Sequence, residues 1–509
     1  MNLGERKNHF ARLMGWVVLV SLVEVLGQAV AGAALAKQSG APTKPIDHRP
    51  VVLRLCEIAD VPGGARCGAY EVFENRVTKR GRKIALNIVM LPALSARRQP
   101  DALFILAGGP GQAATDNAGF YARVFARVRE ERDIVLVDQR GTGKSNPLGC
   151  DLYGDSLQGP LGDLLPPNAI NKCRAEWEKR ADLRYYTTPI AMDDLDEVRA
   201  VLGYEQIDLF GTSYGTRAAQ VYIRRYPNRV RSVILKGITP MAQILPYAIA
   251  RDAQRALDKV FEECEKDEAC SKNFPNFRGE FAAVLKRFEK GPVSVQVVNP
   301  NTGQKDKVEL SRGAIATTIR SLMQSTGTIA QLPMIIHQSF ANDYSSLVRA
   351  VSSLRLGFSK SVSVGMFLSV INTEDLPATD AKTVERESSG TFMGDHYYQQ
   401  VAAAARVLPK GEVLRGYHRP VRSTVPALLI SGYLDPATPP EGGDDVARHL
   451  PNSRHIVIRY GSHSYTGLSP CVDQIMSDFI KSGSVKRLDV SCSDQIHQTP
   501  FQVSSRANP

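Results

Sequence analysis

Apolar residues in this chain fall mostly into short unbroken bursts. Leu103–Leu106, Ile134–Val137, Val233–Leu235 and Ala427–Ile430 show almost no polar alternation. Strands buried on both faces read this way, because neither side of the pleat meets water. Tyr70–Phe73, Ile84–Met90, Ile207–Phe210 and His455–Ile458 predict further strands. Between the bursts the spacing changes. Leu195, Val198 and Leu202 recur at helical intervals over 193–202, and a second helix is predicted from Thr216 to Arg225, stopped near Pro227. Alternating strand and helix predicts an α/β fold, a mostly parallel sheet flanked by helices. From about 246 to 415 the pattern is mainly helical, with few strand runs, and strand character returns afterwards. The expected organisation is a core over 37–245, an inserted helical cap over 246–415, and the rest of the core over 416–509.

The first residues change the picture of where the chain works. Arg6, Lys7 and Arg12 precede the apolar run Leu13–Leu22, and Ala34-Leu35-Ala36 forms a small-x-small cleavage pattern, so 1–36 reads as a signal peptide despite Glu24. No later stretch has the apolar length of a membrane span. The eight cysteines fall into four sequence-local couples: Cys56 with Cys67, Cys150 with Cys173, Cys264 with Cys270, and Cys471 with Cys492. None has C-x-x-C spacing, which points to disulfides rather than metal or redox use. Leader and cysteines together predict an exported protein, periplasmic or secreted. The net charge of +11 comes without zinc-finger spacing or a basic–aromatic ladder, so no nucleic-acid partner is expected.

The candidate chemistry sits at strand ends. Gly211-Thr212-Ser213-Tyr214-Gly215 follows one predicted strand and opens a helix, the context a G-x-S-x-G nucleophile turn requires. Ser213 is the expected nucleophile. A serine hydroxyl needs a base. His463, in the loop after His455–Ile458, fits better than His449 or His455, which fall inside regular elements. Asp435, just after Ala427–Ile430, is the expected acid that orients His463, with Asp444 and Asp445 nearby at a helix start. The amide of Tyr214 and that of Gly109, or alternatively Gly108, are expected to hold the oxyanion. Gly141-Thr142-Gly143-Lys144-Ser145 lacks the leading glycine of a phosphate loop, since position 138 is Asp138.

Taken in order, Gly108-Gly109-Pro110-Gly111, Asp138-Gln139-Arg140-Gly141-Thr142-Gly143-Lys144-Ser145, Gly211 to Thr216, Cys264 to Cys270, Gly432 to Pro439, Ser462-His463, and Cys471 with Cys492 resemble the tripeptidyl aminopeptidase and proline iminopeptidase group of α/β-hydrolases. The likeness spans about 50–500. It implies an α/β-hydrolase fold and an exopeptidase acting at free N-termini. It also implies that acidic cap residues read the substrate's α-amino group, here Glu374 and Asp375. Three positions depart from the group. Asn372 stands where many relatives have cysteine, serines rather than glycines flank His463, and Ala107 replaces a frequent histidine.

The expected protein is therefore a serine peptidase with a peptide substrate and no required metal or organic cofactor. A carboxylesterase with the same three residues is the nearest alternative. A non-catalytic binding protein on a hydrolase scaffold is the remote one.

Overall fold

A computed structural model describes residues 51–154, 157–298, 304–464 and 469–504. The expected signal peptide over 1–36 lies outside them. Nine strands form one sheet: β1 (Arg54–Cys56), β2 (Ala65–Phe73), β3 (Lys83–Leu91), β4 (Ala102–Leu106), β5 (Ile134–Val137), β6 (Ile207–Thr212), β7 (Val230–Lys236), β10 (Ala427–Gly432) and β11 (Ser453–Ile458), in the order β1-β2-β3-β5-β4-β6-β7-β10-β11. Between them in sequence, β8 (Val293–Val298) and β9 (Lys305–Leu310) pair separately. In the large sheet β1, β2, β3 and β5 pair antiparallel in succession, and every later pairing is parallel.

The apolar bursts are buried as their composition requires. Every residue of β4, β5 and β10 is buried. Alternate side chains go to opposite faces. Phe104, Val135, Leu209 and Val233 join one core with Leu195 and Val198 of α1 (Thr188–Val201) and Ala218 and Tyr222 of α2 (Tyr214–Arg225). Leu103, Ile105, Phe210 and Ile430 join the other, in a cluster that also holds Ile475 and Phe479 of the helix Pro470–Ser482. The chain leaves β4 for β5 on one side and then returns to β6 on the other. That reversal opens a crevice at the carboxyl ends of the strands, which is where Gly109, Ser213, Asp435 and His463 all follow a strand.

Between β7 and β10 lies a helical insertion. It includes α3 (Leu245–Lys266), α4 (Arg312–Leu322), α5 (Ser345–Ser361), α6 (Val364–Val370) and α7 (His396–Arg406). Val260, Phe281, Ile315, Ile319, Leu347 and Val351 give it an apolar cluster. The helical reading passed over the antiparallel hairpin β8–β9. Only Val308 and Leu310 of β9 are apolar, so that strand looks like a polar loop, yet both side chains are buried in the cluster. By contrast α6 sends Val364, Met366, Leu368 and Val370 into the core beneath the sheet.

The four cysteine couples are disulfide-bonded as the spacing suggested, at sequence separations of 11, 23, 6 and 21. Short closed loops of this kind each restrict the unfolded chain by about 2–4 kcal/mol. Among the described residues, no helix is long and apolar enough to cross a membrane.

Candidate active site

Ser213 is held in a conformation that a free serine avoids, with φ 56° and ψ −126°. Its surroundings fix it there. The Ser213 amide donates to the Lys236 carbonyl at 3.0 Å, and the Ser213 carbonyl accepts from the Thr216 amide at 2.9 Å and the Thr216 hydroxyl at 2.6 Å. The flanking glycines are required by close approach. A Cβ on Gly215 would overlap the Leu106 carbonyl, and one on Gly211 would press into the Gly215 carbonyl. The turn thus packs against β4 and projects Ser213 at the amino end of α2.

Asp435 follows β10 and is buried. Its Oδ1 accepts from the amides of Ala437 at 2.8 Å and Thr438 at 2.9 Å. Its Oδ2 accepts from the Thr438 hydroxyl at 2.7 Å and lies 2.8 Å from His463 Nδ1. Burial alone would raise this carboxyl, but the facing His463 and these hydrogen bonds hold it below the usual carboxylate range. The Thr438 hydroxyl also lies 3.1 Å from His463 Nδ1.

The His463 loop is anchored from two sides. From the sheet, Lys236 Nζ donates to the His463 carbonyl at 2.7 Å. From the cap, the Met323 carbonyl accepts from the Ser462 hydroxyl, and the Gln324 carbonyl accepts from the Ser464 amide at 2.7 Å. Ser462 therefore fastens this loop through its side chain, and Ser464 through its backbone amide, to the residues just after α4. Lys236 ends β7, is 5% exposed, and has its ammonium pushed by burial down to about 8, against the pull of Asp435.

Ser213, His463, Thr438, Lys236, Gly109 and Tyr214 line one cavity of about 890 Å³. Gly109 has φ 108°, a left-handed conformation that favours glycine, and precedes a cis bond to Pro110. A Cβ on Gly108 would lie 3.3 Å from that of Ser213. The cap closes over this loop, with the Ser363 amide donating to the Gly111 carbonyl at 2.8 Å. Phe367, Ile371, Arg320, Arg355 and Tyr397 complete the upper wall.

Several sequence-selected residues lie elsewhere. Glu374 and Asp375 do not line the cavity, contrary to their expected place beside a substrate amine. Asp375 is fully buried and paired with Arg217 Nη1 at 3.0 and 3.2 Å. Glu374 Oε1 accepts from the Thr188 amide at 2.6 Å, and Oε2 from the hydroxyls of Thr188 and Tyr417. Both carboxylates tie the insertion to α1, α2 and the chain leading into β10. Asp444 pairs with His455 at 2.8 Å. In the Asp138–Ser145 run, Asp138 accepts from Asn87, Thr115 and Lys144, while Arg140 binds Asp194. Those groups brace loops rather than cradle phosphate.

Thr438 and Lys236 were not singled out from sequence. The available signal for Lys236 was a cation ending the wholly apolar run Val233–Leu235, where a surface strand would alternate.

Serine protease Hip1 of Mycobacterium tuberculosis is 25% identical over 97% of this chain and 100% of its own length. A tripeptidyl aminopeptidase of Streptomyces coelicolor is 24% identical over 87% of this chain and 85% of its own. A proline iminopeptidase of Neisseria gonorrhoeae is 29% identical over 27% of this chain and 32% of its own. The family model for the alpha/beta hydrolase fold matches residues 101–465, and with the strand order and the strand–turn–helix at Ser213 this makes the protein a member of the α/β-hydrolase family.

Proposed function

We propose that this protein is an exported serine peptidase that hydrolyses short peptides through an acyl-enzyme. Ser213 Oγ attacks the scissile carbonyl, and His463 Nε2 takes its proton and later delivers it to the leaving amine. Asp435 holds Nδ1–H and stabilises the imidazolium. The amides of Tyr214 and Gly109 receive the oxyanion, and water then releases the acyl fragment. The observation that carries the reading is the Asp435–His463 pair at 2.8 Å, opening with Ser213 into one capped cavity. The peptide substrate is favoured by the names of the relatives, a serine protease and a tripeptidyl aminopeptidase. Export is favoured by the four disulfides. Release of fragments from free N-termini follows the tripeptidyl aminopeptidase alone, and the inward contacts of Glu374 and Asp375 with Thr188, Tyr417 and Arg217 favour a structural part for both over binding the amine.

The test is a pair of reporter peptides, one with a free N-terminus and one acetylated, given to the protein and to Ser213→Ala. Cleavage of the free peptide alone, reduced about 10⁴-fold or more by the substitution, supports an exopeptidase, and fragment masses give the length released. Ser213-dependent hydrolysis of a simple ester with neither peptide cut replaces the reading with a carboxylesterase.

A further inference from the structure

Buried arginines in this protein are, as a rule, neutralised. Arg132 faces Asp101 at 2.7 Å, Arg140 faces Asp194 at 2.6 Å and Arg217 faces Asp375 at 3.0 Å. Arg129, without a carboxylate, donates to the carbonyls of Pro62, Gly64 and Pro92. Two arginines of the cap break the pattern, and both line the cavity that holds Ser213.

Arg355, on α5, is 4% exposed. Its Nη2 donates to the Thr317 hydroxyl of α4 at 2.8 Å and the Tyr153 hydroxyl lies against the guanidinium, while the buried Nη1 makes no well-formed hydrogen bond and faces no carboxylate. Arg320, on α4, likewise has a buried Nε with no protein acceptor. Among the described residues neither guanidinium forms an ion pair, Asp435 and Asp252 acting on Arg320 only from a longer range, and no aspartate or glutamate lines the cavity. Lys236 adds a third basic group beside His463. A guanidinium keeps its charge even when buried, so an unpaired one is costly unless an anion reaches it. Two forked donors on adjacent helices suit a planar, two-oxygen acceptor.

We propose that Arg320 and Arg355 form a carboxylate-binding subsite in the cap wall of the cavity, so that the favoured substrate carries a carboxylate as well as the free N-terminus of the proposed reaction. The assignment rests on Ser213 hydrolysing a substrate in this cavity. In a peptide the carboxylate has two sources, an acidic side chain or the C-terminal carboxylate of a short chain.

Matched reporters separate them. One set is a tetra-alanine amide with glutamate or glutamine placed at each position in turn. The second is tetra-alanine as free acid or amide. A third is monoethyl succinate beside ethyl butyrate, which carries the question to esters. In the unsubstituted protein one carboxylate member is expected to exceed its neutral twin about ten-fold or more in kcat/KM. R320Q and R355Q should bring that ratio to within about two-fold, and R355K, which keeps the charge but not the fork, should fall between. R320Q and R355K preserve the test if R355Q does not fold. A lead at one glutamate position assigns the side chain, and a lead of free acid over amide assigns the terminus. The subsite is overturned if no carboxylate member leads in any pair, or if the lead survives both R320Q and R355Q. Absence of Ser213-dependent turnover on every peptide and ester instead overturns the nucleophile, and the subsite with it.

Discussion

Thr438 makes two contacts that matter to the Asp435–His463 pair. Its hydroxyl donates to Asp435 Oδ2 at 2.7 Å and lies 3.1 Å from His463 Nδ1, so it fixes the carboxylate oxygen that faces the ring. Thr438→Val keeps shape and the backbone amide but removes that donor. Hydrogen bonds to a charged group contribute about 1.5–3 kcal/mol, and part of this should appear as a fall of about ten-fold in kcat with KM nearly constant. Steady-state kinetics on a Ser213-dependent reporter would show it, and an unchanged kcat would mean that the amides of Ala437 and Thr438 suffice. Position along the chain made Ser213, Asp435 and His463 legible as candidates, because each follows a predicted strand at its carboxyl end. The environment of a side chain was less legible. Glu374-Asp375 in the sequence resembles an exposed acidic turn, yet both carboxylates face inward to Thr188, Tyr417 and Arg217. Burial of that kind depends on which helix packs opposite, and local pattern does not carry it.

The turn between β6 and α2 works because two backbone segments nearly touch. Gly215 lies so close to the end of β4 that any Cβ would meet the Leu106 carbonyl, which is backbone and cannot rotate away. Gly215→Ala should therefore push α2 off the sheet, costing about 1–3 kcal/mol by overpacking and moving Ser213 relative to Gly109. A lowered melting temperature together with slower labelling of Ser213 by a serine-directed phosphonate is the expected result. Normal labelling at reduced stability would show that the helix shifts without carrying the serine. Elements of this kind were readable where an unbroken apolar run marked them: β4 and β5 appear at or within one residue of their expected bounds, β10 runs two residues longer, and β7 extends well before the expected Val233–Leu235. The β8–β9 hairpin was missed because one face is solvated and β9 is mostly charged. The end of the insertion is hard to see for a related reason. α6 is buried on all sides, Ser369 included, and packs beneath the sheet, so its pattern is that of the core.

At the scale of the whole molecule, cap and sheet are joined by polar groups that are themselves buried. The cap reaches the His463 loop through Met323 and Gln324 and the Gly109 loop through Ser363. Behind the cavity, Asp375 pairs with Arg217, and Glu374 receives Thr188 and Tyr417. Glu374 makes this joint sensitive to pH. Burial, larger than the opposing hydrogen bonds and the nearby Arg217, pushes its carboxyl from an ordinary 4.5 up to about 7. The folded protein therefore holds this proton more tightly than the unfolded chain does. Its contribution to stability is fully present below about 4.5 and is lost as pH rises through about 7. The difference amounts to about 3 kcal/mol. Glu374→Gln, which has no such proton to lose, should flatten the dependence. Urea unfolding of both proteins at pH 5 and pH 8 would measure it. The comparison isolates this group from Asp208, whose carboxyl burial also pushes up, because Asp208 is common to both proteins. Equal slopes for the two would mean that Glu374 is ionised throughout, with Thr188, Tyr417 and Arg217 compensating its burial, and the joint between cap and sheet would then be a charged one at every pH tested.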